Sequence, residues 1–243
     1  MTLMNQIDRY RAMRVRQKSR YWQAIADIPA ALYPYWKRTA LFEFKGIPQD
    51  AFFFARATEG LLTFFDCVAA SGRPCALPSA AADSVWHAWI ALDKASLDAF
   101  CMRHFGKEIP HVEAGAMSPQ WDFALANCVV AALRAEGRNP VRMRVPRLFA
   151  LDRELKMPRG FGYVLDGGRL AFQRLDYQGR PEGTLSYPDG LSLAQLQAAG
   201  LVTQAGAVQG AKRSGGDGGG CGSSCCGDGG GCGSSCGGGC GGD

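Results

Sequence analysis

The spacing of apolar positions changes once along this chain: it keeps helical period up to about residue 137 and alternates beyond it. At the N-terminus, "TLMNQIDRYRAMRVRQKSRYWQAIADI" places Leu3, Ile7, Tyr10, Met13, Tyr21 and Ile25 on one loose stripe, opposite Arg9, Arg11, Arg14, Arg16, Lys18 and Arg20. The basic row reads as a solvated helix face. Pro29 and Pro34 are expected to break this segment. "AFFFARATEGLLTFFDCVAAS" follows as a second helix, closed by Gly72 and Pro74, and "PSAAADSVWHAWIAL" as a third with Ser79 as its cap. A fourth, "DKASLDAFCMRHFG", starts at Asp93 and stops at Gly106. "SPQWDFALANCVVAALRAEG" is the clearest helix, with Ser118 at the cap, Pro119 at the first helical position and Gly137 as the left-handed stop.

Beyond Asn139, "VRMRV" (141–145) alternates, and "FGYVLDGGRLAFQRLDY" reads as two strands about a tight Asp166-Gly167-Gly168 turn. "QGRPEG" makes another turn before "TLSYP", and "SLAQLQAAG" a short helix. Helices first and an antiparallel sheet afterwards predict an α+β fold, predominantly helical. The expected organisation is a helical domain over 1–137, a small antiparallel β region over 138–200 packed on it, and a linker with a disordered Gly/Cys-rich tail over 201–243.

Composition separates the tail from the rest. Of ten cysteines, six lie in "GDGGGCGSSCCGDGGGCGSSCGGGCGGD", from Gly216 to Asp243, which holds no apolar group other than sulfur. Setting aside its three acids leaves 19 acidic against 27 basic residues in the body, a charge of +8. No apolar run approaches the roughly twenty residues of a membrane span, and the charged start has no signal-like apolar region. The expectation is a cytoplasmic protein with reduced cysteines.

All three histidines, His87, His104 and His111, fall within a short stretch that also holds Cys101. Cys101 and His104 share a helix face, and the break at Asp93 is expected to fold the His87 helix back towards it. His87, Cys101 and His111 are therefore candidate ligands for a borderline-soft ion such as zinc or copper. The competing reading makes the same histidines structural, since Trp86, Trp89, Phe100 and Phe105 interleave with them.

"AADSVWHAWIALDKASLDAFCMRHFGKEIPH" resembles the signature of the glycine-rich domain-containing protein-like family, whose plant members carry a Trp-His helix, an aromatic, a Cys, a Gly and a closing His. Here those positions are Trp86, His87, Leu97, Cys101, Gly106 and His111; Leu97 departs from the aromatic, and Trp89 stands where a second His is usual. The resemblance implies a fold and no reaction.

"RGFGYVLD" (159–166) matches most of the aromatic strand motif of RNA-recognition domains, with Phe161 and Tyr163 at the stacking positions. The order of elements around it disfavours that fold, because a hairpin follows the motif where a helix is needed. No phosphate-binding loop with Lys-Ser/Thr and no Gly-x-Ser-x-Gly elbow occurs. The chain is read as a binding protein rather than an enzyme.

The tail repeats "GDGGGCGSSC" at 216–225 and 227–236. Cys221/Cys225, Cys232/Cys236 and Cys236/Cys240 are each spaced C-x3-C, within the range of zinc ligands. Ordering about twelve to sixteen residues costs roughly 1 kcal/mol or more each. Zinc bound by a structural site returns about 10–16 kcal/mol. The near balance predicts a fluid site for zinc or copper, or a thiol surface for a protein partner. Two alternatives stand beside it: a precursor whose tail Cys and Ser are cyclised, since the tail resembles azole-modified microcins, and RNA binding through the basic "RGFGYV" region.

Overall fold

The computed structural model describes residues 3–112 and 120–203. Eight helices and one three-stranded antiparallel sheet occupy them, an α+β fold in which helix dominates. The described residues all belong to one compact unit.

The organising element is α4 (Ala51–Ser71), buried on nearly every side through Phe53, Phe54, Leu61, Leu62, Phe64 and Phe65. A helix with so wide an apolar face belongs at the centre of a bundle, and α1, α5, α6 and α7 all pack on it. Its ends follow the sequence: the Asp50 carboxylate accepts from the Phe53 N–H at 2.8 Å, and Gly72 takes a left-handed conformation at φ +62°.

The N-terminal segment divides differently from the expectation. It forms α1 (Leu3–Lys18), α2 (Trp22–Ala26) and α3 (Leu32–Glu43). Pro34 does not break α3, because it sits in the first turn, where the missing N–H has no intrahelical acceptor to lose. The apolar stripe of α1 also does not face the core: Ile7, Tyr10 and Met13 are exposed. Small Ala12 is the buried contact instead, and the Arg11 guanidinium lies 3.7 Å over the Phe52 ring. A long cationic stem can cover apolar surface as well as an aliphatic residue does.

The third and fourth expected helices are one element, α5 (Ala80–Phe105), interrupted at Asp93 (φ −167°, ψ 93°). Ser79 caps its start on the Ala82 N–H, the Asp93 carboxylate accepts from Ser96 N–H at 3.0 Å and restarts the helix, and Gly106 ends it at φ +74°. In α6 (Trp121–Ala135) the Gly137 N–H bonds Arg134 O and the Arg138 N–H bonds Leu133 O, a Schellman ending about Gly137. Ser118 and Pro119 lie outside the described residues.

"VRMRV" is not a strand. The sheet contains only β1 (Phe161–Asp166), β2 (Arg169–Leu175) and β3 (Pro181–Ser186), in the order β1-β2-β3, and offers 141–145 no ladder. That segment instead leads through Pro146 into α7 (Arg147–Glu154), a helix its short, charged sequence does not advertise. Gly167 and Gly168 both take positive φ, as a two-residue turn between right-twisted strands requires, with Asp166 opposite Arg169. β1 is an edge strand, and Tyr163 is buried edge-on against Phe149 at 4.9 Å. A capping box of Ser192 and Gln195 opens α8 (Leu193–Ala198).

One buried carboxylate ties the sheet to the bundle. Asp152 of α7 accepts from Ser79 Oγ at 2.6 Å, Ala80 N at 2.9 Å, Ala81 N at 3.0 Å and Phe161 N at 3.0 Å. It thereby holds the first turn of α5, whose next turns carry the site described below.

Candidate metal centre

Asp83 and His87 are four residues apart on α5 and therefore share one face of it. The helix is fixed against its neighbours on that side: buried Trp36 of α3 donates its indole N–H to Ser84 Oγ at 3.0 Å, and Ser84 donates to Ala81 O. The same α3–α5 contact delivers Glu43, the last residue of α3, whose carboxylate lies 2.5 Å from His87 Nδ1. His111 arrives from the extended segment after α5, held by buried Ile109 and by the Trp86 ring, which meets its imidazole edge-on at 4.5 Å.

These pieces bring three donor atoms into one triangle. His87 Nε2 and His111 Nε2 are 3.0 Å apart, His111 Nε2 and Asp83 Oδ1 3.1 Å, and His87 Nε2 and Asp83 Oδ1 3.5 Å. Bonds of about 2.1 Å to one ion set ligand atoms about 3.0 Å apart at right angles and about 3.4 Å apart in a tetrahedron. The observed edges span that interval. Among the described residues this is the group of three or more His, Cys, Asp or Glu donors close enough to hold one ion.

A second acid, Glu43, supplies orientation. A neutral imidazole has one N–H and one lone pair. With Nδ1–H directed at Glu43, His87 presents its Nε2 lone pair to the triangle. Carboxylate–histidine pairs of this kind set tautomer and ring angle in metal sites. The triad is half-buried and opens on a cavity of about 600 Å³, whose apolar wall includes Phe64, Trp86, Ile109, Trp121 and Phe161. Three protein ligands leave at least one coordination position for water or a bound molecule, the arrangement of catalytic rather than structural zinc.

The structure brings His87 and His111 together and leaves Cys101 outside the group. Cys101 is buried in the second half of α5, where burial and the nearby Asp98 charge push its thiol up to about 12. One non-helical residue at Asp93 redirects α5 but does not supply the two to five loop residues of a helical reversal. His104 is also elsewhere, 3.0 Å from Asp27 Oδ2 and packed on Phe100. Asp83 and Glu43 were not singled out by the sequence reading. The i,i+4 spacing of Asp83 and His87 was available as a signal, whereas Glu43 is joined to the site only by tertiary packing. Cys221, Cys225, Cys232, Cys236 and Cys240 lie outside the described residues.

A family model described as UCP032817-like matches residues 53–180, a span that holds Asp83, His87 and His111 and excludes Glu43. No curated protein and no solved structure matches the chain.

Proposed function

We propose that this chain, which belongs to the UCP032817-like family, binds one divalent transition-metal ion through Asp83, His87 and His111 and presents it to a small molecule in the adjoining cavity. The observation that carries the reading is the triangle of donor atoms with edges of 3.0, 3.1 and 3.5 Å. Two imidazoles and a carboxylate suit zinc and ferrous iron and do not select soft cuprous copper. When bound, such an ion polarises an oxygen ligand or lowers the pKa of its water. The chain's part is to hold three ligands on one face, fix the His87 tautomer through Glu43, and wall the open side with apolar groups that exclude bulk water.

The likeness to the glycine-rich domain-containing protein-like family enters the same proposal, because its Trp-His and closing His positions supply both imidazoles. The tail cysteines form a second, chemically distinct proposal: thiolates at C-x3-C spacing would take soft ions or thiol partners independently of the body.

Cobalt titration of the full-length chain separates the two. The body centre should give ligand-field bands without thiolate charge transfer, and the tail should give the charge-transfer band. Replacing Cys221, Cys225, Cys232 and Cys236 by Ser should remove the second signal only. Asp83→Ala and His111→Ala should each weaken the first by about 100-fold or more, with folding verified by circular dichroism. Retention of parental affinity for the thiolate-free signal in the Asp83→Ala/His111→Ala double variant would refute the centre.

A further inference from the structure

The same cavity has a second chemical feature on its wall, built from thiols. Cys75 lies in the segment joining α4 to α5 and, among the four described cysteines, it alone is not buried. It lines the cavity together with Lys107. The segment is strapped along α6 by hydrogen bonds on either side of Cys75: Asn127 Nδ2 donates to Pro74 O at 2.8 Å, and the Ala76 N–H donates to Ala124 O at 3.1 Å. Cys128 is one helical turn beyond Ala124, so it stands on the face of α6 that meets the strapped residue. Ser71 Oγ is 3.4 Å from Cys75 Sγ, with the Cys67 and Arg73 carbonyls at 4.0 and 3.7 Å.

We propose that Cys75 is a thiol–disulfide exchange site, in which a small-molecule disulfide of the glutathione class enters the cavity, is attacked by Cys75 and is resolved by Cys128. In the first step the Cys75 thiolate forms a bond to one sulfur of the disulfide. The S–S bond breaks, and the other half leaves as a thiolate that takes a proton from water. In the second step Cys128 gives its proton to the departing half, forms the Cys75–Cys128 disulfide and expels a second thiol. Two protein thiols lose two electrons in total, and the small disulfide gains them. This proposal is independent of the metal centre.

The surroundings divide the labour between the two thiols. Cys75 lies below the ordinary thiol range, because the neighbouring Cys128 thiol favours its thiolate, with Ser71 and the Lys107 ammonium adding to the effect against the cost of burial. Cys128 is held well above that range, first by burial and then by the neighbouring Cys67 and Cys75. Attack by Cys75 should therefore be fast and resolution slow, so that the mixed disulfide accumulates before it decays.

The test uses the full-length chain with Ser at the six tail cysteines, reacted with oxidised glutathione at pH 7 and followed by intact mass and peptide mapping. An ordinary thiol is about 3% ionised at that pH. Cys101, at about 12, is ionised to about one part in 100,000. The higher basicity of the Cys101 thiolate returns to it roughly 1.5 decades of nucleophilicity. The net expectation is an adduct at Cys75 about 100-fold faster than at Cys101, followed by its loss and a Cys75–Cys128 link. Cys75→Ser should remove the adduct, while Cys128→Ala and Cys128→Ser should both preserve it. Mapping of the unsubstituted pair reads the link directly, whatever the stability of the variants. A first adduct on any other cysteine, a link to Cys67, or an adduct as persistent with Cys128 as without it would overturn the proposal.

Discussion

Asp152 offers a quantitative test of how the site is held in place. It is 1% exposed, and its two oxygens accept three backbone N–H groups and one hydroxyl from the start of α5 and the start of β1. Asp152→Ala leaves the N–H groups of buried Ala81 and half-buried Ala80 and Phe161 without their acceptor, a gross loss of up to about 3–9 kcal/mol at about 1–3 each. The ionised carboxyl is itself costly to bury, and this cost dominates in lifting its pKa above the ordinary value, so removing it returns part of that loss. A net destabilisation of about 3–5 kcal/mol follows. Asp152→Asn should cost less. Its oxygen can occupy the Oδ2 position and serve Ala80 and Phe161, while Ser79 turns to accept from the amide and only the Ala81 N–H is orphaned, at about 1–3 kcal/mol. For a domain of this size the Tm should fall by about 2–12 °C for Asn and about 6–20 °C for Ala, read by circular dichroism. Because the folded carboxyl holds its proton more tightly than the unfolded one, parental stability rises as pH falls through the raised value. The gap between parent and Asn variant should therefore widen in acid. Alanine within 1 kcal/mol of the parent, or asparagine as costly as alanine, would refute this account.

Glu43→Gln keeps a hydrogen-bond acceptor beside His87 Nδ1 but removes the charge, so cobalt affinity at the thiolate-free centre should drop about 10–100-fold without being abolished; unchanged affinity would mean that Glu43 does not act through His87. Gly60→Ala should destabilise by about 1–2 kcal/mol despite its better helix propensity, because the new Cβ would fall 2.3 Å from Leu151 Cδ2 at the buried α4–α7 crossing. A rise in Tm on that substitution would show that Leu151 has room to move.

What the sequence made legible was what local chemistry decides. Ser79, Asp93, Gly72, Gly106 and Gly137 act at the helix ends where their side-chain acceptors or left-handed backbone are needed. The Gly167-Gly168 turn, likewise, requires nothing beyond its two residues. Three features were not legible because each is settled by a distant partner. The burial of α1 depends on how Arg11 lies over Phe52 of α4. The short α7 is held by Asp152, whose partners are 71 to 73 residues away in α5 as well as nearby in β1. "VRMRV" has the alternation of a strand yet joins neither free edge of the sheet, where β1 and β3 each pair with β2. Alternation states which faces differ and not whether a ladder exists.

The same distinction explains why a site expected from His87, Cys101 and His111 contains two of those residues. Helical spacing reliably joins residues four apart, and Asp83 had that relation to His87, whereas joining Cys101 required a reversal at Asp93 that one residue cannot make. The substitution of donor matters chemically. A thiolate in the triangle would have shifted the site towards soft ions and the closed coordination of structural zinc, whereas an oxygen donor keeps it borderline and open. The described thiols are kept from the triad: Cys101 is locked in the core with its proton, while Cys67, Cys75 and Cys128 gather beside the α6 strap. Nitrogen and oxygen donors on one part of the cavity and a thiol on another mean that the proposed metal coordination and the proposed disulfide exchange would not compete for the same ligands.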